Sequence, residues 1–318
     1  MKLIIQIPCY NEAETLAVTL EDLPREVPGF DCVEWLVIDD GSTDNTAAIA
    51  RQCGVDHVVS FAGHQGLART FVAGLDACLK LGADVIVNTD GDNQYVAADI
   101  PALVAPVLAG RADIVVGARP IANIASFSPT KKLLQRVGSW VVRCVSNTAI
   151  PDAPCGFRAM SRDAALRLNV FNDYTYTLET LIQAGQKSLA IISVPVRVNA
   201  ELRPSRLVSS LTAYVRKSIM TICRIFVLYK PFRFFMAVGI CVFLAGFAIG
   251  LRFLSYYFTG EGDGHIQSLI LASILLGVGF QTMLTAFLAD LLAVNRRLME
   301  DVQYRLKKHE CDNGQPPE

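Results

Sequence analysis

The chain of 318 residues carries 52% hydrophobic residues and a formal net charge of −1, with 29 Lys and Arg set against 30 Asp and Glu. That balance excludes the global basic field of a nucleic-acid binder, while the length admits one large domain or two ordinary ones. The cysteines, spread from Cys9 to Cys311 without a CxxC pair, suit reduced packing thiols better than a disulfide framework.

The opening "MKLIIQIPCYNE" reaches Pro8 and Asn11-Glu12 too soon for a secretory signal and reads as a first strand. Up to about residue 120, the short Val/Ile-rich runs "KLIIQI", "VEWLVID", "DHVVS", "ADVIVNT" and "ADIVVG" alternate with helical patterns. Asn11 with Glu14 resembles a helix-opening cap, and Ser42-Thr43-Asp44 after Gly41 is placed to open the next helix. Such units predict a mostly parallel, open α/β sheet with its ligand crevice at the carboxyl ends of the strands. Asp39-Asp40 and Asp90-Gly91-Asp92 each end one of these strands, so two strands deliver carboxylates to one rim.

Beyond residue 206 the text changes. Residues 207–233 mix apolar side chains with Arg216, Lys217, Arg224, Lys230 and Arg233, the pattern of an amphipathic segment at a membrane surface. Residues 234–251 and 266–289 carry no charge, and each run is close to the roughly 20 residues that cross a hydrocarbon layer about 30 Å thick. Basic residues precede the first span and follow the second (Arg296, Arg297, Arg305, Lys307, Lys308), whereas "TGEGDGH" between them has none. This predicts a two-span protein of the cell membrane with the catalytic domain and both termini cytoplasmic. The expected organisation is a catalytic domain over 1–206, interface helices over 207–233, a two-helix anchor over 234–291 and a tail over 292–318 ending in an unstructured "ECDNGQPPE". Arg252 is read as snorkelling to the far interface. Gly239, Gly246, Gly250, Gly277 and Gly279 allow close helix packing, including packing between copies of the chain.

Two carboxylates converging on one point repel each other unless a cation or a set of donors sits between them. Asp90 and Asp92 are therefore candidate ligands for Mg²⁺ or Mn²⁺, with Gln94 adding a carbonyl oxygen, and the ion bridging to the phosphates of a substrate. Gly63 and Gly66 precede a predicted helix, a setting in which backbone N–H groups face phosphate, with His64 beside them.

In order and spacing, "PCYNEAETL" (8–16), "VIDDGSTDNT" (37–46) and "NTDGDNQY" (88–95) resemble the nucleotide-sugar site of glycosyltransferase family 2. With "DAPCGFRAMSRDA" (152–164) and the two spans, the chain most resembles that family's polyprenyl-phosphate glycosyltransferases, including dolichol-phosphate mannose synthases. The resemblance implies a GT-A-type, Rossmann-like sheet followed by interface helices and two transmembrane helices. It also implies that Pro8, Tyr10 and Glu12 sit against the nucleoside, that Asp40 or its neighbour Asp39 grips base or ribose, and that Asp90, Asp92 and Gln94 bind the metal. The donor is then a GDP- or UDP-sugar. An acceptor polyprenyl phosphate needs cations. The resemblance places Arg119 and the basic, serine-containing segment of Lys131, Lys132, Arg136 and Ser139 near it, and Arg203, Ser205 and Arg206 lie just before the membrane segment. Asp152 corresponds to a family acid, whereas Cys155 stands where the family often has a small hydroxyl residue.

A phosphomonoester is mostly dianionic at neutral pH and attacks an anomeric carbon without a strong base. Attack opposite the leaving group predicts inversion. For a lipid-headgroup or glycan hydroxyl acceptor, Asp152 or Glu179 becomes the base candidate. A non-catalytic membrane scaffold with a degenerate nucleotide site is the reading from another class, and the intact Asp90/Asp92 pair argues against it.

Overall fold

The computed structural model describes residues 1–120, 139–140, 143, 148, 150–170, 176–200, 220, 224, 227, 229–259 and 266–313. Seven strands form one sheet: β1 Lys2–Cys9, β2 Cys32–Asp39, β3 His57–Ser60, β4 Val85–Asn88, β5 Ile114–Ala118, β6 Arg158–Ser161 and β7 Ile191–Pro195. Their order is β3-β2-β1-β4-β6-β5-β7, all parallel except β6, which runs antiparallel between β4 and β5. All five strands expected from the apolar runs are present. Leu3, Ile4, Ile5 and Ile7 are buried without alternation because helices cover both faces, which is what a parallel sheet requires. Pro8 sits in β1 opposite Ile38, past the end of the β4 pairing at Gln6, so β4 asks nothing of its missing N–H.

The helices of this part are α1 Leu16–Asp22, α2 Thr46–Gln52, α3 Leu67–Lys80, α4 Ile100–Leu108, α5 Arg162–Arg167 and α6 Thr177–Gln186. α3 turns Phe71, Leu75 and Cys78 into the core. Asn11 does not cap α1, which starts five residues later. It adopts a left-handed φ of 54° that its short polar side chain tolerates. Asp44 does shape the start of α2, accepting from the Thr46 N–H at 3.0 Å.

Two further helices, α7 Pro231–Phe258 and α8 Ile266–Asn313, are long and apolar enough to cross a membrane. The chain divides into two compact units, Met1–Ser218 with Glu300–Glu318, and Ile219–Met299. Within the second unit α7 and α8 pack closely because glycines stand at the crossing. A Cβ at Gly239 would meet Met283, one at Gly246 would meet Leu275, and one at Gly279 would come within 2.6 Å of the Phe243 backbone. Gly277 faces open space and Gly250 makes ordinary contact, so neither shares that role.

The expectation of an unstructured end from residue 310 is corrected as far as Asn313, because α8 runs unbroken to that residue. Its last turns dock on the first unit through side chains recurring at helical spacing. Glu300 pairs with Lys187 at 3.0 Å, the Tyr304 hydroxyl donates to Asp163 at 2.8 Å, and Lys307 pairs with Asp76 of α3 at 3.0 Å.

Candidate active site

The loops after β1 and β2 are stapled together. The Asn11 N–H donates to Ser42 Oγ at 2.9 Å, Asn11 Oδ1 accepts from the Thr43 N–H at 2.8 Å, and the Glu12 N–H donates to Thr46 Oγ1 at 2.9 Å. This brings Tyr10 out at the rim, where its ring lies 4.1 Å from that of His64. The partly exposed aromatic pair presents a π-face on which a base can stack. Pro8, two residues earlier in β1, is buried.

Asp39 and Asp40 are both buried, and they differ in use. Asp40 accepts from the Gln65 N–H at 2.7 Å and the Gly66 N–H at 2.9 Å, with His64 Nδ1 2.9 Å away. Its carboxylate thus occupies the amino end of α3 as an internal anion. The Gln65 and Gly66 N–H groups, in the loop expected to face phosphate, face Asp40, and of the two carboxylates expected to grip base or ribose Asp40 is the one bonded to that loop. Asp39 takes only the Ser42 N–H, at 3.1 Å, among the bonds described for its side chain. The two loops touch because Gly41 has a φ of 65° and no Cβ; a methyl there would lie 2.5 Å from the Gly63 carbonyl carbon.

The Asp90-Gly91-Asp92 turn follows β4 and is held from several directions. The Gly91 carbonyl accepts from the Thr15 and Thr19 hydroxyls at 2.9 and 3.1 Å. Asn93, with a φ of 54°, donates to Asp22 at 2.9 Å and accepts at its carbonyl from Asn199 at 3.0 Å. Asp92 accepts from the Gln94 N–H at 3.2 Å, so the interaction described between Gln94 and this turn is through its backbone. Tyr95 hydrogen-bonds the Asp90 carboxylate and also accepts from the Gly156 N–H at 3.1 Å. Gly156 lets the loop approach closely: a Cβ there would sit 3.1 Å from Asp90 Oδ1 and 3.0 Å from the Tyr176 hydroxyl, a tight fit.

Burial, and then the charge of Asp92, push the Asp90 carboxyl up to about 7 against the pull of Arg119. Asp90 is thus a buried carboxyl beside a second carboxylate, a setting in which a divalent ion would favour its charged form. Among the described residues no third His, Cys, Asp or Glu joins them in a metal-holding group. Two hard oxygen donors without a protein cage suit Mg²⁺ or Mn²⁺, which keep positions for water and substrate phosphate, and do not suit structural zinc.

Arg119 closes the far side. Its Nε and Nη2 donate to Asp152 at 2.7 and 3.0 Å, and the pair is nearly enclosed. Arg119, expected near the acceptor phosphate, is paired here with Asp152. Ser139, expected near the acceptor, is buried, and its Oγ accepts from the Ala153 N–H at 3.3 Å, supporting the 152–157 loop instead. Glu179 is buried in the first turn of α6. Lys131, Lys132, Arg136, Arg203, Ser205 and Arg206, together with most of the 207–233 segment, lie outside the described residues.

Sequence reasoning missed a layer under the site. Asn88, the last residue of β4, accepts from Gln6 at 2.8 Å and donates to the Gly156 carbonyl and the Tyr176 hydroxyl at 2.8 and 2.9 Å. Arg158 is wholly buried and donates to the carbonyls of Cys155 and Ala153, both at 2.8 Å, and to Thr180 at 2.6 Å. It ties the 152–157 loop from inside. The signal for this layer was present in the polar residues Gln6 and Asn88 inside apolar strands, since a buried amide demands partners.

A family model described as "Glycosyl transferase family 2" matches residues 4–168. The undecaprenyl-phosphate mannosyltransferase of Micrococcus luteus is 29% identical over 218 residues, covering 65% of this chain and 88% of that protein. Glycosyltransferase AglJ of Haloferax volcanii is 28% identical over 311 residues, 94% of this chain and 96% of its own length. Among solved structures, glucosyl-3-phosphoglycerate synthase from Mycobacterium tuberculosis, in complex with Mn²⁺, UDP and glucosyl-3-phosphoglycerate, superposes with a TM-score of 0.53 at 22% identity. It covers 70% of this chain and 80% of that one. That likeness is one of fold.

Proposed function

The chain belongs to glycosyl transferase family 2 and is a glycosyltransferase; from that premise we propose that it moves a single sugar from a nucleoside-diphosphate sugar to a polyprenyl phosphate at the cytoplasmic membrane face. The observation that carries the proposal is the Asp90/Asp92 pair at the carboxyl end of β4, where the Asp90 carboxyl is pushed up by burial and then by the charge of Asp92; the neighbouring strands β1 and β2 end just before Tyr10 and at Asp39. The Micrococcus luteus relative, named for undecaprenyl phosphate, supports the acceptor class.

In this reading the base stacks on Tyr10, and Asp39 accepts from a base N–H or ribose hydroxyl, with Pro8 and Glu12 as walls. Asp90 and Asp92, with Gln94 at the same turn, hold Mg²⁺ or Mn²⁺. The ion, when bound, neutralises the pyrophosphate of the leaving nucleotide. Tyr95 and Gly156 keep the Asp90 carboxylate aimed into the rim. The Arg119–Asp152 pair fixes the wall that the acceptor phosphate approaches, and the cations of Lys132, Arg136, Arg203 and Arg206 are assigned to the phosphate itself. The acceptor oxygen needs no proton removed by the protein, so the chemistry asks for alignment and charge balance, and attack opposite the leaving group inverts the anomeric centre.

Both α7 and α8 are assigned as membrane spans. The docking of Glu300–Asn313 on the same compact unit as the sheet supports a hairpin that returns to the side from which it left.

The test is to incubate membranes containing the protein with radiolabelled GDP- and UDP-sugars and with undecaprenyl or dolichyl phosphate. Label should enter the lipid phase for one donor and disappear in Asp92→Ala. No labelled lipid from any donor overturns the acceptor assignment.

A further inference from the structure

α8 is far longer than a span requires and has two unlike faces. The 48-residue helix extends well past the uncharged run that ends at residue 289. At roughly 1.5 Å per residue this leaves more than 30 Å of helix beyond the hydrocarbon. Glu300, Tyr304 and Lys307 point to the catalytic unit. Another face carries Leu288, Leu292, Met299, Val302 and Leu306, whose exposures run from 51% to 69%. With Asn295 between them and His309 after them, they alternate in steps of four and three. Backwards into the span the same steps reach the half-buried Thr285 and the exposed Gln281, Val278 and Ile274. This alternation is the seam of a left-handed coiled coil.

Lipid accounts for neither end of that seam. Beyond the span the apolar stripe runs among Arg296, Arg297, Glu300, Asp301 and Arg305, where no hydrocarbon is available. Inside the span the exposed amide of Gln281 has no favourable environment in acyl chains and asks for a polar partner. An identical helix supplies apolar residues at one end and an amide at the other, in register. Copies inserted in one membrane with one orientation run parallel. In a parallel pair Arg305, which pairs within its own helix with Asp301 at 3.0 Å, and Glu310 flank the seam at positions that meet across it.

We propose that the seam Ile274–His309 of α8 is the interface between two copies of this chain, so that a parallel helix pair joins the membrane anchor to two catalytic units. The proposal rests on the two-span reading of α8 but not on the reaction assigned above.

The test uses the full chain in membranes, with benzoylphenylalanine introduced singly for photocrosslinking. Asn295, Val302 and Leu306 are the seam positions, and Asp301 and Lys308 are exposed controls on another face. Irradiation should give a covalent product of twice the 34.7 kDa chain from the three seam positions and little from the controls. A second measurement guards against a misfolded variant. The particle extracted in polymer nanodiscs should contain two or more chains, falling to one in the double variant Val302→Asp with Leu306→Asp, with an unchanged circular dichroism spectrum. Equal crosslinking at all five positions, crosslinks only to the chain's own 207–229 segment or to lipid, or a single-chain native particle would each overturn it. Neither readout uses sugar transfer, so failure here leaves the catalytic reading untouched.

Discussion

Arg119 and Asp152 form a two-pronged ion pair, 2.7 and 3.0 Å long, sealed into the wall between β5 and the 152–157 loop. Breaking such a pair from one side strands a charge in a low-dielectric setting, at a cost of about 3–5 kcal/mol. Asp152→Asn should therefore destabilise the catalytic unit by that order, as read by chemical denaturation. A double variant, Arg119→Met with Asp152→Leu, should recover most of the stability but little of the transfer activity. Recovery of neither, or no loss in the single variant, contradicts the assignment of the pair as a wall element.

Tyr95 joins Asp90 to the Gly156 N–H through one hydroxyl. Tyr95→Phe keeps the ring that stacks on Phe157, with centroids 5.0 Å apart, and removes only the oxygen. The expected stability change is about 1 kcal/mol. The Mn²⁺ concentration for half-maximal activity should rise several-fold, with the acceptor KM little changed. A unit that loses stability while keeping its metal dependence would mark Tyr95 as a packing residue alone.

Gly41→Ala places a methyl 2.5 Å from the Gly63 carbonyl carbon at a residue whose φ is 65°. The loop carrying His64 has to move, taking the Tyr10–His64 platform with it. Donor KM should rise at least tenfold, while kcat at saturating donor falls less. An unchanged donor KM argues against base stacking at Tyr10.

Asp44 and Asp99 are among the carboxylates of the catalytic unit held below their ordinary range. At Asp44 burial works the other way but is outweighed by bonds from the Thr46 hydroxyl and N–H and from the Ala13 N–H. At Asp99 burial is likewise outweighed, here by Arg197. A depressed folded-state pKa stabilises the protein above the unfolded value near 3.9 and loses that contribution as pH falls through the folded value. Stability should hold down to about pH 5 and then drop on acidification, and Asp44→Asn should flatten the drop in a pH series of urea midpoints. An identical acid slope in that variant contradicts the linkage.

The sequence reports the parallel strands and their acidic ends well, because Val/Ile runs buried on both faces leave an unmistakable pattern. β6 was illegible for an equally physical reason. It is four residues long, begins with the buried Arg158, and gains strand character only by pairing with β4 and β5. The division of labour between Asp39 and Asp40 was also hidden, since it depends on how the Gln65 and Gly66 N–H groups swing back to β2. The last residues of α8 read as an unstructured tail because "ECDNGQPPE" shows no periodicity; just before them Tyr304 and Lys307 find partners in segments more than a hundred residues away in the chain.

The central claim is that Asp90 and Asp92 jointly hold a divalent ion shared with the donor's pyrophosphate. Mn²⁺ electron paramagnetic resonance on the full chain, titrated with and without UDP or GDP, tests it most directly. The account predicts that nucleoside diphosphate tightens Mn²⁺ binding at least tenfold in the wild type, and that Asp90→Asn and Asp92→Asn each abolish the tightening. Mn²⁺ binding that is indifferent to both nucleotides, or that survives in Asp92→Asn, contradicts it.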